Sequence, residues 1–142
     1  MDRLEIKDWL KKYNVENYTI NEDLSIDVVG DVDLSYKSLV EIPVKFRNVS
    51  GNFSCNNNGL TSLRGCPVEI IGDFSCNTNR LELLLGCPIK VGGSFYCMNN
   101  KLTLLEGCPG SVGFGFSCGN NQLVSLSYCP SIMGGNFRCG YK

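Results

Sequence analysis

Hydrophobic residues recur in this chain at every twenty-first position from Val32 onward. An aromatic residue or valine begins each copy, a cysteine or leucine follows two positions later, and the residues beside them are mostly polar. The first position is occupied by Val32, Phe53, Phe74, Phe95, Phe116 and Phe137. Because side chains at i and i+2 of a strand point to one side, we expect each copy to form a short strand whose Phe and Cys face a core.

Each copy continues with a polar turn and a second apolar segment. Three positions after the cysteine comes an asparagine, at Asn58, Asn79, Asn100 and Asn121, then two leucines and Cys-Pro. A copy of this kind buries its apolar side only by stacking on its neighbours, and an asparagine amide can satisfy backbone groups across neighbouring coils. Prolines and glycines after the leucines favour extended or turn backbone. We therefore predict a strand-dominated solenoid over 31–142, with about five repeats, a terminal strand and an asparagine ladder.

Residues 1–30 lack the repeat and are predicted to cap it. Apolar residues at helical spacing predict a helix near 2–13, and Asp2 with Glu5 forms a capping-box pattern at its start. Two short apolar runs on either side of Asn-Glu-Asp predict a hairpin over 18–29. We expect this hairpin to lead directly into the first repeat strand.

The order strand, asparagine, leucine, leucine resembles the leucine-rich-repeat family, whose signature is L-x-x-L-x-L-x-x-N-x-L. The resemblance covers roughly residues 30–142. Phe and Cys replace the usual strand leucines, as in FSCNNNGL, and Lys37 stands where the first asparagine belongs. The segment VGGSFYCMNNKLTLLEGCP is similar to short leucine-rich-repeat proteins of large tailed bacteriophages. The resemblance implies a parallel sheet on a concave face and action in the cytoplasm of an infected bacterium.

Composition narrows the chemistry that the chain can perform. The nine cysteines fall in two columns that follow the same repeat, without a C-x-x-C pair, and the chain has no histidine. We expect buried free thiols and no metal site, although neighbours in a column would lie close enough for oxidation to cross-link them. Without histidine, a phosphate-binding glycine loop or a nucleophile elbow, we expect no enzyme and no cofactor.

Charge and hydropathy restrict the partners. The net charge is −1, with four acidic and eight basic residues in 42–142. Basic and aromatic residues do not alternate along one side of the array, so nucleic-acid binding is not expected. Neither a membrane-spanning apolar run nor a secretory signal is present in the sequence. We therefore expect a cytoplasmic protein whose partner is another protein.

The outward side of the predicted strands is the first candidate binding surface. Most residues that flank the inward Phe and Cys are small and polar, such as Ser75 and Asn77. Tyr96 and Met98 are large and adaptable, as interface anchors commonly are, and Arg138 lies on the same side in the last copy. We predict that these five residues contact a protein partner.

The segment after the asparagine offers a second candidate surface. Leu83, Leu85 and Leu104 stand at positions where other copies carry polar or charged residues. Together they would form an exposed apolar patch, a common mark of a binding site; alternatively, they are ordinary surface residues or turn inward.

Two functions follow from these surfaces. The first is a non-catalytic protein-binding module, which would bind and inhibit a host bacterial enzyme or defence factor if the phage resemblance holds. The alternative is a self-associating structural protein, a dimer or particle component, which joins through an open edge at the last copy.

Overall fold

One helix precedes a series of short strands. In the computed structural model, which describes residues 1–140, the helix is α1 (Arg3–Lys12). The strands are β1 (Tyr18–Ile20), β2 (Ser25–Val28), β3 (Val32–Asp33), β4 (Lys45–Val49), β5 (Phe53–Ser54), β6 (Glu69–Ile70), β7 (Phe74–Ser75), β8 (Lys90–Val91), β9 (Phe95–Tyr96), β10 (Ser111–Val112), β11 (Phe116–Ser117), β12 (Ile132–Met133) and β13 (Phe137–Arg138). The last two residues of the predicted array, 141–142, lie outside the described residues.

The strands stack into two sheets. A seven-stranded sheet has the order β1-β2-β4-β6-β8-β10-β12, and a six-stranded sheet has the order β13-β11-β9-β7-β5-β3. β1 and β2 are antiparallel, and β2 pairs with β4 in parallel with a shift of register. The repeat coils pair in parallel one repeat apart, as Phe53 does with Phe74. The predicted strand-dominated solenoid is confirmed. Its Phe-Cys strands form the six-stranded sheet, while the segment predicted only as extended or turn backbone forms the seven-stranded one.

The interior is a continuous column of apolar side chains. The rings of Phe53, Phe74, Phe95 and Phe116 are stacked, with centroids separated by 5.9, 5.3 and 4.9 Å, and none is exposed. The first cysteine column lies beside them, and Cys55, Cys76 and Cys97 are 0% exposed. Each buried aromatic side chain contributes about 1.5–3 kcal/mol relative to exposure, so the stack is a major source of stability.

The N-terminal helix continues this column. Asp2 and Glu5 form the expected capping box, with 2.8 Å from the Glu5 N–H to Asp2 Oδ1 and 2.9 Å from the Asp2 N–H to Glu5 Oε1. Trp9 contacts Phe46 edge-on at 6.5 Å between centroids, and Phe46 contacts Phe53 in the same manner at 5.2 Å. The helix therefore covers the first coil with aromatic packing.

Asparagine side chains connect neighbouring coils where the chain leaves the six-stranded sheet. Asn100 Nδ2 donates to the carbonyl oxygens of Cys76 (3.1 Å) and Cys97 (3.2 Å). Asn100 Oδ1 accepts from the N–H groups of Asn79 (3.2 Å) and Leu81 (3.1 Å). Asn79 and Asn100 are each only 8% exposed, so these bonds satisfy backbone groups that water barely reaches. The predicted asparagine ladder is confirmed.

The first copy keeps this turn although Lys37 replaces the asparagine. Oδ1 of Asn58, one coil further along, accepts from the N–H groups of Lys37 (3.0 Å) and Leu39 (2.9 Å). Each asparagine thus supplies an acceptor to the preceding coil. The first coil therefore forms its turn without an amide of its own.

Among the described residues, no helix has the length and apolar character needed to cross a membrane.

Candidate functional site

A groove runs across the outer side of the six-stranded sheet at β9, β11 and β13. It consists of two adjoining depressions of about 750 and 420 Å³, which share Ser117 and Arg138. We call it the strand-face groove and define it by Tyr96, Met98, Phe114, Gly115, Ser117, Gly119, Asn136 and Arg138. The structure thus brings together three of the predicted site residues, Tyr96, Met98 and Arg138.

The groove exists because one coil with small side chains lies between two coils with large ones. Ser117 pairs with Tyr96 on one side and with Arg138 on the other. Neighbouring strands lie about 4.8 Å apart, so the Tyr96 and Arg138 backbones are separated by about 10 Å. Gly115 and Gly119 in the middle coil add no side chain that would fill this space.

Hydrogen bonds within the sheet hold the two large side chains in place. β9 pairs with both β7 and β11, which fixes the backbone of Tyr96. The Met98 N–H donates to Asn77 Oδ1 (2.7 Å), and the Met98 carbonyl accepts from the Thr78 N–H (2.9 Å). The half-buried Tyr96 and Met98 are therefore presented on a rigid support.

Ser75 and Asn77 lie one coil before the groove and take part in bonds between coils. Ser75 Oγ donates to Asn56 Oδ1 (2.6 Å), and Asn77 Nδ2 donates to Ser75 Oγ (3.3 Å). Asn56 Oδ1 also accepts from the Asn77 N–H (2.7 Å). Because Asn77 Oδ1 also accepts from the Met98 N–H, Asn77 helps to hold Met98 in position. Contact of Ser75 or Asn77 with a partner stays a prediction.

Phe114 is a groove residue that the sequence analysis missed. Its side chain is 64% exposed, and it lines the same depression as Tyr96 and Arg138. Other copies have glycine here, and a Cβ at Gly93 would lie 2.2 Å from Asp73 Oδ1. Ser94, which is one repeat after Asp73, lies at the equivalent position beside Phe114. Its side chain is shorter than that of Asp73, so a side chain at position 114 does not meet the same obstacle. The sequence could have indicated this residue, because Phe114 occupies a repeat position at which the other copies have glycine.

The three predicted leucines do not adjoin the groove. Leu83 and Leu85 are 41% and 56% exposed and line a separate depression of about 440 Å³ with Arg64, Ser62 and neighbouring backbone. Leu104 is half-buried and is not among the residues that line this depression. The predicted site is therefore divided into two surfaces, of which the strand-face groove gathers more of the predicted residues.

The electrostatics of the groove are simple. Arg138 is the one charged side chain among the described residues that line it, and no carboxylate offsets its charge there. Tyr96, Met98 and Phe114 add apolar surface. The groove is therefore suited to a complementary apolar surface that also carries a negative group.

The buried thiols are poorly suited to nucleophilic chemistry. Burial, with a smaller effect of neighbouring thiols, raises the pKa of Cys76 and Cys97 well above the usual thiol range. These groups therefore stay protonated at neutral pH. Within residues 1–140, no group of three or more His, Cys, Asp or Glu side chains is arranged to hold a metal ion.

The fold defines the structural class of this protein. The chain is a leucine-rich-repeat-like solenoid with parallel sheets, coils of equal length and one short N-terminal helix. It matches no protein-family model, no curated protein and no solved structure. The stacked parallel sheets thus establish the solenoid class, and the narrower phage resemblance stays a prediction.

Proposed function

We propose that this protein is a non-catalytic protein-binding module whose strand-face groove contacts the partner. The observation that carries the proposal is the grouping of Tyr96, Met98 and Phe114 with Arg138 around a floor of small residues. Aromatic and arginine side chains are enriched at the energetic centres of protein interfaces. Apolar and cationic groups are thus available together on one surface.

Rigidity supports the same proposal. The groove stands on parallel strands, of which β9 and β11 are bonded to neighbours on both sides, and Asn77 Oδ1 accepts from the Met98 N–H at 2.7 Å. A surface that is ordered before binding loses less conformational entropy when the partner docks. The entropic cost of binding is therefore lower for these stacked coils than for a surface that becomes ordered only when it binds.

The proposed partner is a bacterial host protein, an enzyme or a defence factor, met in the host cytoplasm. This part of the proposal draws on the resemblance of VGGSFYCMNNKLTLLEGCP to short phage leucine-rich-repeat proteins. Occupation of the partner's functional surface would inhibit it. The partner is expected to present an apolar side chain beside a carboxylate, opposite Arg138.

The experiment begins with capture from bacterial lysate and identification of the retained protein, which is then purified. Its dissociation constant is measured with the wild type and with Tyr96→Ala and Phe114→Ala. Each substitution removes a ring from the groove and is expected to weaken binding by about 2 kcal/mol, roughly 30-fold. The thermal midpoint should change little, because both side chains keep solvent contact.

Tyr36→Ala is the matched control. Tyr36 is 76% exposed and lies in the first coil, far along the stack from the groove. Its replacement should leave the dissociation constant unchanged. Equal losses of affinity in all three variants, or unchanged affinity in Tyr96→Ala and Phe114→Ala, would rule out the groove as the contact.

Self-association is a second candidate, favoured by the last described coil. Leu126 is 48% exposed, whereas its equivalent Leu105 is fully buried, and Phe137 is less buried than Phe116. β12 and β13 are the outermost described strands of the two sheets. Light scattering after gel filtration tests this candidate: a dimer that Leu126→Lys dissociates supports it, and a monomer at high concentration excludes it.

A further inference from the structure

The cysteines form neighbouring thiol columns along the whole solenoid. All nine are free, and the members of each column are 21 residues apart, one per coil. Cys118 and Cys139 belong to the first column, and Cys108 and Cys129 belong to the second. The coil register therefore places the members of one column next to each other in neighbouring coils.

Solvent reaches the second column increasingly toward its last member. Cys66 is buried, Cys87 and Cys108 are half-buried, and Cys129 is exposed. In the first column, by contrast, Cys55, Cys76 and Cys97 are completely buried. A small molecule in solution therefore has the easiest access to Cys129, the one exposed cysteine, while Cys87, Cys108 and Cys139 are partly accessible.

The coil register places Cys108 and Cys129 side by side. Three positions further on, Ser111 pairs with Ile132 in parallel strands, which fixes the same alignment of the two coils. Neighbouring strands lie about 4.8 Å apart, within the range of about 4.4–6.8 Å between Cα atoms that a disulfide requires. Cys108 Sγ already donates to the carbonyl oxygen of Tyr128 (2.6 Å), the residue before Cys129.

We propose that Cys129 and Cys108 are a modification site that forms an intramolecular disulfide by exchange with a low-molecular-weight disulfide of the glutathione type. Cys129 is the entry thiol, because it is exposed, and Cys108 is the resolving thiol. The proposed site lies at Cys108 and Cys129, the residue after Tyr128, and does not depend on the strand-face groove.

The exchange balances in two steps. The Cys129 thiolate attacks one sulfur of the small disulfide, which forms a mixed disulfide and releases one small thiolate. The Cys108 thiolate then attacks the Cys129 sulfur, which forms the Cys108–Cys129 bond and releases the second small thiolate. Both released thiolates take up the protons that the two cysteines lost. The protein pair loses two electrons, and the small disulfide gains them.

Burial sets the order of the two steps and protects the other cysteines. It raises the pKa of Cys108 to about 11, so a small fraction of this thiol is ionised at neutral pH. Burial raises the pKa of Cys97 much further, and that side chain has no solvent access. Because the thiolate is the attacking species and Cys97 has no solvent access, Cys97 is expected to react more slowly than the exposed Cys129.

The test treats the folded full-length protein with oxidised glutathione at mildly alkaline pH. Samples are quenched by alkylation at intervals, digested, and mapped by mass spectrometry. The expected sequence is a glutathione adduct on Cys129 followed by a Cys108–Cys129 cross-link, while Cys55, Cys76 and Cys97 stay alkylated as free thiols.

Two variants assign the roles. Cys108→Ser should stop the reaction at the Cys129 adduct, and Cys129→Ser should abolish the cross-link. A wild-type protein that keeps the adduct without forming the cross-link would overturn the proposal. So would a Cys118–Cys139 cross-link that forms first. The wild-type map alone decides between these outcomes if a variant does not fold.

Discussion

Replacement of Asn100 by alanine should cost a large share of the stability of the solenoid. The substitution removes the acceptor of the Asn79 and Leu81 N–H groups and the donor for the Cys76 and Cys97 carbonyl oxygens. A buried polar group left without a partner costs about 1–3 kcal/mol. The two N–H groups alone therefore predict a loss of about 2–6 kcal/mol, against a total of about 5–15 kcal/mol for an ordinary domain.

Urea denaturation measures this loss with two probes. Far-UV circular dichroism follows the sheets, and the fluorescence of Trp9, the single tryptophan, follows the N-terminal helix. Repeat arrays can unfold in parts, so agreement of the two midpoints shows whether one free energy of unfolding describes the protein. In Asn100→Ala we expect the sheet midpoint to fall markedly.

Asn121→Ala is the matched comparison. Asn121 Nδ2 donates to the carbonyl oxygens of Cys97 (3.0 Å) and Cys118 (3.0 Å), and its Oδ1 accepts from one N–H group, that of Leu102 (3.0 Å). Its side chain is half-buried, so water can replace part of what is lost. Its loss should be clearly smaller than that of Asn100→Ala. A loss below about 1 kcal/mol in Asn100→Ala, or equal losses in both variants, would refute the view that unsatisfied backbone groups set the cost.

Two further predictions concern backbone strain and pH. Thr78 has φ of 59°, in a column where Asn57 and Asn99 adopt the same conformation, so Thr78→Asn should raise stability by about 1 kcal/mol, and an unchanged thermal midpoint would contradict this. Asp27 accepts hydrogen bonds from Arg47, which lower its pKa. Because the pKa of Asp27 is lower in the folded than in the unfolded state, its ionised form stabilises the protein at pH values above the unfolded-state pKa of about 3.9. This stabilisation disappears as the pH falls through the folded-state pKa. Because both side chains are partly exposed, Arg47→Gln should lower the urea midpoint slightly at pH 7 and leave it unchanged in strong acid; midpoints that differ from those of the wild type equally at both pH values would contradict the pairing.

The stacked interior was predictable because the repeat never changes length. With a constant step along the chain, identical positions must lie in register once two coils stack, so Phe53 meets Phe74 without further information. The asparagine ladder followed from the same alignment and from the hydrogen-bonding capacity of an amide. The capping box of Asp2 and Glu5 is a local pattern and needed no tertiary information.

The seven-stranded sheet was harder to foresee. Its strands β6, β8 and β10 are two residues long and contain one inward residue each, such as Ile70 or Val91, so no alternation reveals them. Short strands of this kind form because each coil is bonded to the coils before and after it. Their existence depends on stacking and not on local propensity.

The candidate surface was predicted in part. Tyr96 and Met98 were visible as large residues among small ones, and their strand placed them on the outward side. Arg138 faces Tyr96 across the middle coil, which carries Ser117, and Phe114 precedes the strand of that coil. The sequence alone does not show that the small side chains of this coil leave a space between the larger ones. Leu83 and Leu85 lie on a different side of each coil, a separation that depends on the path of the turn.

The identical bonding of successive coils has an evolutionary consequence. An in-frame duplication or deletion of one whole repeat would preserve every contact type between neighbours, because each unit offers the same groups above and below. Such an event would move the groove relative to the N-terminal helix by one strand spacing, about 4.8 Å. The distance between the groove and the N-terminal helix can therefore change by one strand spacing at a time, while the packing of the interior stays the same.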